Sequence, residues 1–244
     1  MTLTVGSLFS GIGGLDLGLE RAGMRLIWHS EIDPYATRVL AKHWPEVPNY
    51  GDIKLIRWND VEPPDVLCGG YPCQPFSTAG YRRGEHDPRH LWPWVRDAIS
   101  ELRPKYAILE NVRGHLTMGG AAVIGDLATI GYDAEWDIVP ASSVGAPHRR
   151  DRLFIVAYPS GRYGRDQEPY GLRSVFGQAP EPREPARHGR PDDHWWETEP
   201  DVDRVAHGVP ARVDRLRGLG NAVVPQVAEY VGRRVVAHHE SRSQ

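Results

Sequence analysis

Val66-Leu67-Cys68-Gly69-Gly70-Tyr71-Pro72-Cys73-Gln74-Pro75-Phe76-Ser77 is a short apolar run that reaches two glycines and then presents a cysteine between a proline and a glutamine. A strand ending in Gly69 and Gly70 can turn sharply, and Pro72 stiffens the exit, so the Cys73 thiol is expected at the tip of a sheet. Chemistry concentrates at such strand ends. Cys68, inside the apolar run, reads as a buried structural cysteine, whereas Cys73 reads as a nucleophile.

On both sides of this run, short apolar segments alternate with longer amphipathic ones. Thr4 to Phe9, Arg25 to His29, Asp65 to Cys68, Tyr106 to Leu109, Tyr132 to Val139 and Leu153 to Ala157 read as strands. Leu15 to Ala22, Pro34 to His43, His90 to Leu102, Ala121 to Ile130 and Pro225 to Ala237 carry helical spacing. This punctuation predicts an α/β fold, a mostly parallel doubly wound sheet with helices on both faces and ligands beyond the carboxyl ends of the strands. Gly, Pro, Arg and Glu crowd the stretch from Pro159 to Pro200 without a period of two or 3.6, which reads as an irregular insertion. The expected division is a catalytic and cofactor-binding part over residues 1–158, a short recognition segment over 159–201, and a C-terminal part over 202–244 that completes the first.

At 244 residues and 40% hydrophobic composition, the chain suits one main globular domain. It has no run of 18 apolar residues and no basic-then-apolar N-terminal segment, so neither a membrane span nor a signal peptide is expected, and the expected location is cytoplasmic. Two cysteines make no disulfide framework, and no Cys or His spacing suits zinc; no metal is expected. Net charge is -3, with residues 147–244 carrying 16 basic and 14 acidic side chains against 13 and 18 in residues 1–146. A local excess there suits a nucleic-acid face, but such a face needs clustering rather than a total, so the surplus alone decides nothing. The 26 arginines against three lysines fit codon bias better than phosphate recognition.

Leu8-Phe9-Ser10-Gly11-Ile12-Gly13-Gly14 joins the first strand to the first helix, where glycines let backbone amides approach a ligand. The third glycine of a G-x-G-x-x-G dinucleotide fingerprint would fall at Asp16, so a nicotinamide or flavin is not indicated. Glu31, 18 residues after Gly13, is placed to bind two ribose hydroxyls, and Asp52 is expected at the end of a third strand; together they suit an adenosine-containing cofactor. Glu110 in YAILENV follows another strand and is expected near Cys73. In His148-Arg149-Arg150-Asp151-Arg152, alternation puts Arg150 and Arg152 on one face, able to converge on one anion. Leu219-Gly220-Asn221-Ala222-Val223-Val224-Pro225 opens the last helix.

With these motifs in this order, the chain resembles the DNA (cytosine-5) methyltransferase family, in its compact phage and bacterial type. The resemblance spans nearly the whole chain. It implies S-adenosylmethionine as cofactor, with Phe9, Gly11, Ile12, Gly13 and Gly14 cradling it, Glu31 on its ribose, Ile32 on the adenine, Asp52 and Ile53 on the base edge, and Pro72 and Asn221 completing the site. It implies that Cys73 attacks C6 of cytosine, that Glu110 contacts N3 and the exocyclic amine, and that Arg150 and Arg152 steady the base and its phosphate. Gln74, Ser77 and Arg89 become candidate DNA contacts. One departure is Ser7, where the family often has an acidic residue, so a second polar contact to the cofactor is either missing or supplied by Ser7. The implied partners are double-stranded DNA and a cognate restriction endonuclease, with no membrane; a monomer is expected. Family members usually carry a substantial recognition domain after the paired arginines, and here only Tyr163 to Arg190 is available for that task. Two alternatives stay open: a tRNA cytosine-5 methyltransferase, and a DNA-binding remnant of the fold with weak or no turnover.

Overall fold

Six strands form one sheet in the order β2-β1-β3-β4-β6-β5. The computed structural model describes residues 2–72, 91–161, 175–176 and 212–242. The strands are β1 (Thr4–Leu8), β2 (Arg25–Ser30), β3 (Val66–Gly70), β4 (Tyr106–Val112), β5 (Tyr132–Val139) and β6 (Arg152–Pro159). Pairings β1·β2, β1·β3 and β3·β4 are parallel, while β6 runs antiparallel to both β4 and β5. The sheet is therefore mostly parallel, with the chain reversal confined to the strand that follows the arginine cluster.

Alternation along each central strand supplies both cores. Tyr106 and Ile108 of β4 join Phe154 and Val156 of β6 in one core with α1 (Gly14–Arg21) and α6 (Pro225–Glu240). Ala107 and Leu109, with Leu153, Ile155 and Ala157, face the other core beneath α3 (Trp92–Leu102) and α4 (Ala121–Thr129). Each fully buried leucine or valine there contributes on the order of 2 kcal/mol. α6 buries Val227, Ala228, Val231 and Val235, a stripe at helical spacing, and Pro225 sits in its first turn where a missing N–H costs nothing. α2 (Pro34–His43) starts the same way, with the Asp33 carboxylate accepting the Tyr35 and Ala36 amides. No helix among the described residues is long and apolar enough to cross a membrane.

The expected third strand ending at Asp52 does not form. Among the described residues one isolated parallel bridge, His29 to Asn49, is made before the chain enters a single 3-10 turn at Ile53–Leu55, and the Asp52 carboxylate caps that turn through the Lys54 amide. Pro45 and Pro48 explain the failure, because each lacks the N–H that a ladder needs.

Because β1 connects outward to β2 while β3 lies on its other side, the strand order reverses between β1 and β3. Doubly wound sheets open a crevice at that point, outside the carboxyl ends of the strands.

Candidate active site

A cleft of about 680 Å³ occupies this position. Its walls come from the loop after β1 (Phe9, Ser10, Gly11, Ile12), the exit of β2 (Glu31, Asp33), the end of β3 (Gly70, Tyr71, Pro72), the end of β4 (Glu110, Asn111, Val112), Arg152 at the start of β6, and the 218–223 segment that ends α5 (Arg212–Asn221) and leads to α6. Segments more than 200 residues apart thus meet in one concavity of the size that holds a small organic ligand.

The loop after β1 is shaped by left-handed residues. Phe9, Gly11 and Gly13 have φ of 52°, 56° and 83°. Gly13 is also required sterically, since a Cβ there would lie 2.4 Å from the Trp44 ring. Phe9 has no such exemption from Cβ strain; its amide is held by the Ser30 carbonyl at 2.8 Å. The Glu31 carboxylate ties this loop to the β2 exit, with Oε2 accepting the Gly11 amide at 2.7 Å and Oε1 accepting the Ile32 and Asp33 amides at 2.8 and 2.7 Å. Ser7 lines the cleft, but its hydroxyl donates to Asp16 and accepts from Ser10. Gly14 and Asn221 also line the cleft. Ile32 stands beside it, 66% exposed, and Ile53 lies in the core with Trp28 and Val61. Ile32, Gly13, Asp52 and Ile53 are not among its lining residues.

Glu110 is inside β4 rather than beyond it, paired across the ladder with Gly70. That pairing makes room for the carboxyl: a Cβ on Gly70 would lie 2.8 Å from Glu110 Oε2. Arg152 Nε meets Glu110 Oε1 at 2.9 Å. Glu110 is only 8% exposed, and burial pushes its carboxyl up to about 7 in spite of the opposing charges of Arg152 and Arg150. Asn111 fixes the neighbouring strand exit, its side-chain amide donating to the Tyr71 carbonyl at 3.0 Å, while the Tyr71 hydroxyl meets His115 Nε2 at 2.8 Å.

Arg150 and Arg152 do not share a strand face. Arg150 precedes β6 in a left-handed conformation, φ 37°, and its guanidinium donates to the Gly220 and Ala222 carbonyls at 2.6 and 2.8 Å. It clamps the C-terminal segment that brings Asn221 to the cleft, whereas Arg152 pairs with Glu110. Cys73, Gln74, Ser77, Arg89 and the recognition segment from Tyr163 to Arg190, apart from Val175 and Phe176, lie outside the described residues; Pro72, bonded to Cys73, lines the cleft. Cys68 is fully buried, and desolvation with the nearby Asp16 charge drives its thiol pKa up, as suits a structural cysteine. Among the described residues no cluster of His, Cys, Asp and Glu could hold a metal ion.

Tyr35, Tyr71 and Met118 line the cleft without having been singled out in the sequence, as does Asp214. For Tyr35 the signal was present: Asp33-Pro34 marks a helix start directly after Glu31, so the first turn of α2 follows it to the cleft.

A family model described as C-5 cytosine-specific DNA methylase matches residues 3–175. The type II methyltransferase M.BsuFI of Bacillus subtilis is 37% identical over 161 residues, covering 64% of this chain and 39% of that protein. M.AplI of Arthrospira platensis is 34% identical over 183 residues, covering 72% and 52%. A solved structure of a prophage-encoded DNA modification methyltransferase of E. coli superposes with a TM-score of 0.55 at 31% identity, covering 65% of this chain and 47% of that one. The chain spans about half the length of these relatives or less.

Proposed function

Because the chain belongs to the C-5 cytosine-specific DNA methylase family, we propose that it transfers a methyl group from S-adenosylmethionine to C5 of a cytosine in duplex DNA, through a covalent bond between Cys73 and C6. The observation that carries this reading is the single cleft that joins the glycine loop and Glu31 to Pro72, Glu110 and Arg152.

The cleft suits the cofactor. Its volume is that of a small-ligand site, the Gly11 amide and the Glu31 carboxylate stand together where the ribose would bind, and Phe9 and Ile12 add apolar surface. Phe9, Gly11, Ile12, Gly14, Glu31 and Asn221 would hold it, with Ile32 beside the adenine. When bound, it would supply an electrophilic methyl group, with S-adenosylhomocysteine as the neutral thioether that leaves.

Cytosine C5 is a poor nucleophile, and attack of the Cys73 thiolate on C6 is the remedy. The S–C6 bond forms, the ring gains electron density that reaches C5, and C5 takes the methyl group. A base then removes the C5 proton, the S–C6 bond breaks and aromaticity returns. Density on the ring is met at N3 by Glu110, whose pKa of about 7 leaves a protonated carboxyl available to donate near neutrality. Arg152 orients that carboxyl. The target base must leave the stack to reach the cleft, at a cost of a few kcal/mol. Gln74, Ser77 and Arg89 would contact the DNA around it, and the segment from Tyr163 to Arg190 would read the flanking bases. A short recognition segment implies a short target sequence.

The test is transfer of tritiated methyl from S-adenosylmethionine to duplex DNA and to tRNA, comparing the wild type with Cys73→Ala. Label in duplex DNA that depends on Cys73 is expected. Label confined to tRNA, or none despite cofactor binding, would overturn the reading.

A further inference from the structure

Beneath the glycine loop lies a buried polar cluster that the reaction itself does not use. Ser7 of β1, Asp16 of α1 and His29 of β2 are 0%, 0% and 1% exposed, and Ser10 of the loop is 7% exposed. The Ser7 hydroxyl donates to Asp16 Oδ1, and the Ser10 hydroxyl donates to Ser7 Oγ at 2.9 Å and lies 3.2 Å from the Ser7 carbonyl. Asp16 Oδ2 stands 3.3 Å from His29 Nδ1 at ion-pair distance, without hydrogen-bond geometry. A carboxylate placed so far from water needs a reason, because burial of an acid beside an imperfectly engaged imidazole is costly.

The connections of this cluster supply one. Ser10 precedes Gly11, whose amide donates to Glu31, and the Ser10 carbonyl accepts the Gly13 amide at 2.9 Å. His29 lies two residues before Glu31. Asp16 therefore reaches both walls of the cofactor cleft, the loop through Ser7 and Ser10 and the β2 exit through His29. Ser7 and Ser10 line the cleft, whereas Asp16 does not. A carboxylate accepts only, so it fixes the direction of the chain: Ser7 must donate toward Asp16, which leaves its oxygen to accept from Ser10.

We propose that Asp16 is a positioning residue for S-adenosylmethionine, holding the Ser10–Gly11 peptide and the Glu31 carboxylate in register from below. This rests on the reading of the cleft as the cofactor site. The carboxylate can serve from either side of the Ser7–Asp16 contact, so exchanging the two residues preserves the pair while moving it from helix to strand.

The test is the Kd for labelled S-adenosylmethionine by equilibrium dialysis on the wild type, Asp16→Ala, Ser10→Ala and the exchanged double variant Ser7→Asp with Asp16→Ser. Far-UV circular dichroism and the KM for DNA are followed in parallel. Asp16→Ala is expected to weaken cofactor binding about tenfold, the size of one lost charge-assisted hydrogen bond, with the KM for DNA unchanged. Ser10→Ala should shift Kd in the same direction, and the exchange should recover most of the loss. A folded Asp16→Ala that binds as the wild type does would overturn the proposal. So would a loss that neither the exchange recovers nor Ser10→Ala reproduces, since that pattern marks a general packing role. If Asp16→Ala fails to fold, Ser10→Ala and the exchanged variant decide it. No binding by the wild type would instead contradict the cofactor reading.

Discussion

Arg152 Nε lies 2.9 Å from Glu110 Oε1, yet the carboxyl that it pairs with keeps its proton up to about pH 7. Burial is the largest influence and raises the pKa, while Arg152 and then Arg150 pull it back. The result is an acid that is available at neutrality and a cation that orients it.

In difference infrared spectra of the protein, a protonated-carboxyl band should persist below about pH 7 and disappear above it, and it should be absent from Glu110→Gln. With the acid form as the proposed donor, kcat/KM should decline at high pH in the wild type and lose that decline in Glu110→Gln, with activity lower by about 10²- to 10⁴-fold. A band lost near the ordinary carboxyl value would contradict this.

Arg152→Ala removes the largest influence that lowers the Glu110 pKa. The same band should then survive to higher pH than in the wild type, and turnover should fall about a hundredfold as the carboxyl loses its orienting partner. A band that titrates unchanged would show that the pair is not coupled.

Gly70→Ala tests the space that β3 leaves for the acid. The added methyl would stand 2.8 Å from Glu110 Oε2. The carboxyl must move, so kcat should drop about tenfold or more while cofactor Kd and the thermal midpoint change little. Unchanged kcat would mean that Glu110 has more freedom than the packing indicates.

His238 governs acid stability. Its ring is buried against Tyr106, with the Tyr106 hydroxyl 2.8 Å from Nδ1, and burial, aided by Arg242, pushes its pKa down to about 4. The unfolded chain takes up this proton near the ordinary value of 6.5, so the associated stability is present above that pH and is lost as pH falls through about 4. The loss amounts to on the order of 3 kcal/mol. Urea midpoints measured between those pH values should slope less steeply in His238→Gln than in the wild type; equal slopes would remove His238 from the account.

The sheet and its helices were legible because the central strands are buried on both faces, so Val66–Cys68 and Tyr106–Leu109 read as unbroken apolar runs. Glu31 and Glu110 were legible as carboxylates at strand ends, and the structure brings both to one cleft. Asp52 was misplaced because the apolar content near it belongs to a 3-10 turn, which has no sequence period of its own. The shared strand face of Arg150 and Arg152 does not form, because period-two spacing assumes extended backbone and the left-handed φ of Arg150 sends its guanidinium to Gly220 and Ala222, still near enough to lower the Glu110 pKa. The burial of Asp16 has no sequence signal, because an acid in the first turn of an amphipathic helix ordinarily faces water, and only the tertiary approach of β1 and β2 buries it.

The central claim is the covalent bond between Cys73 and the target base. Duplex DNA containing 5-fluorocytosine, incubated with S-adenosylmethionine, should trap the wild type as an adduct that survives denaturation, because fluorine at C5 blocks the elimination that frees the thiol. The account predicts that adduct in the wild type and its absence in Cys73→Ala. A wild type that binds the cofactor and the DNA yet forms no adduct, or an adduct that persists in Cys73→Ala, would contradict it.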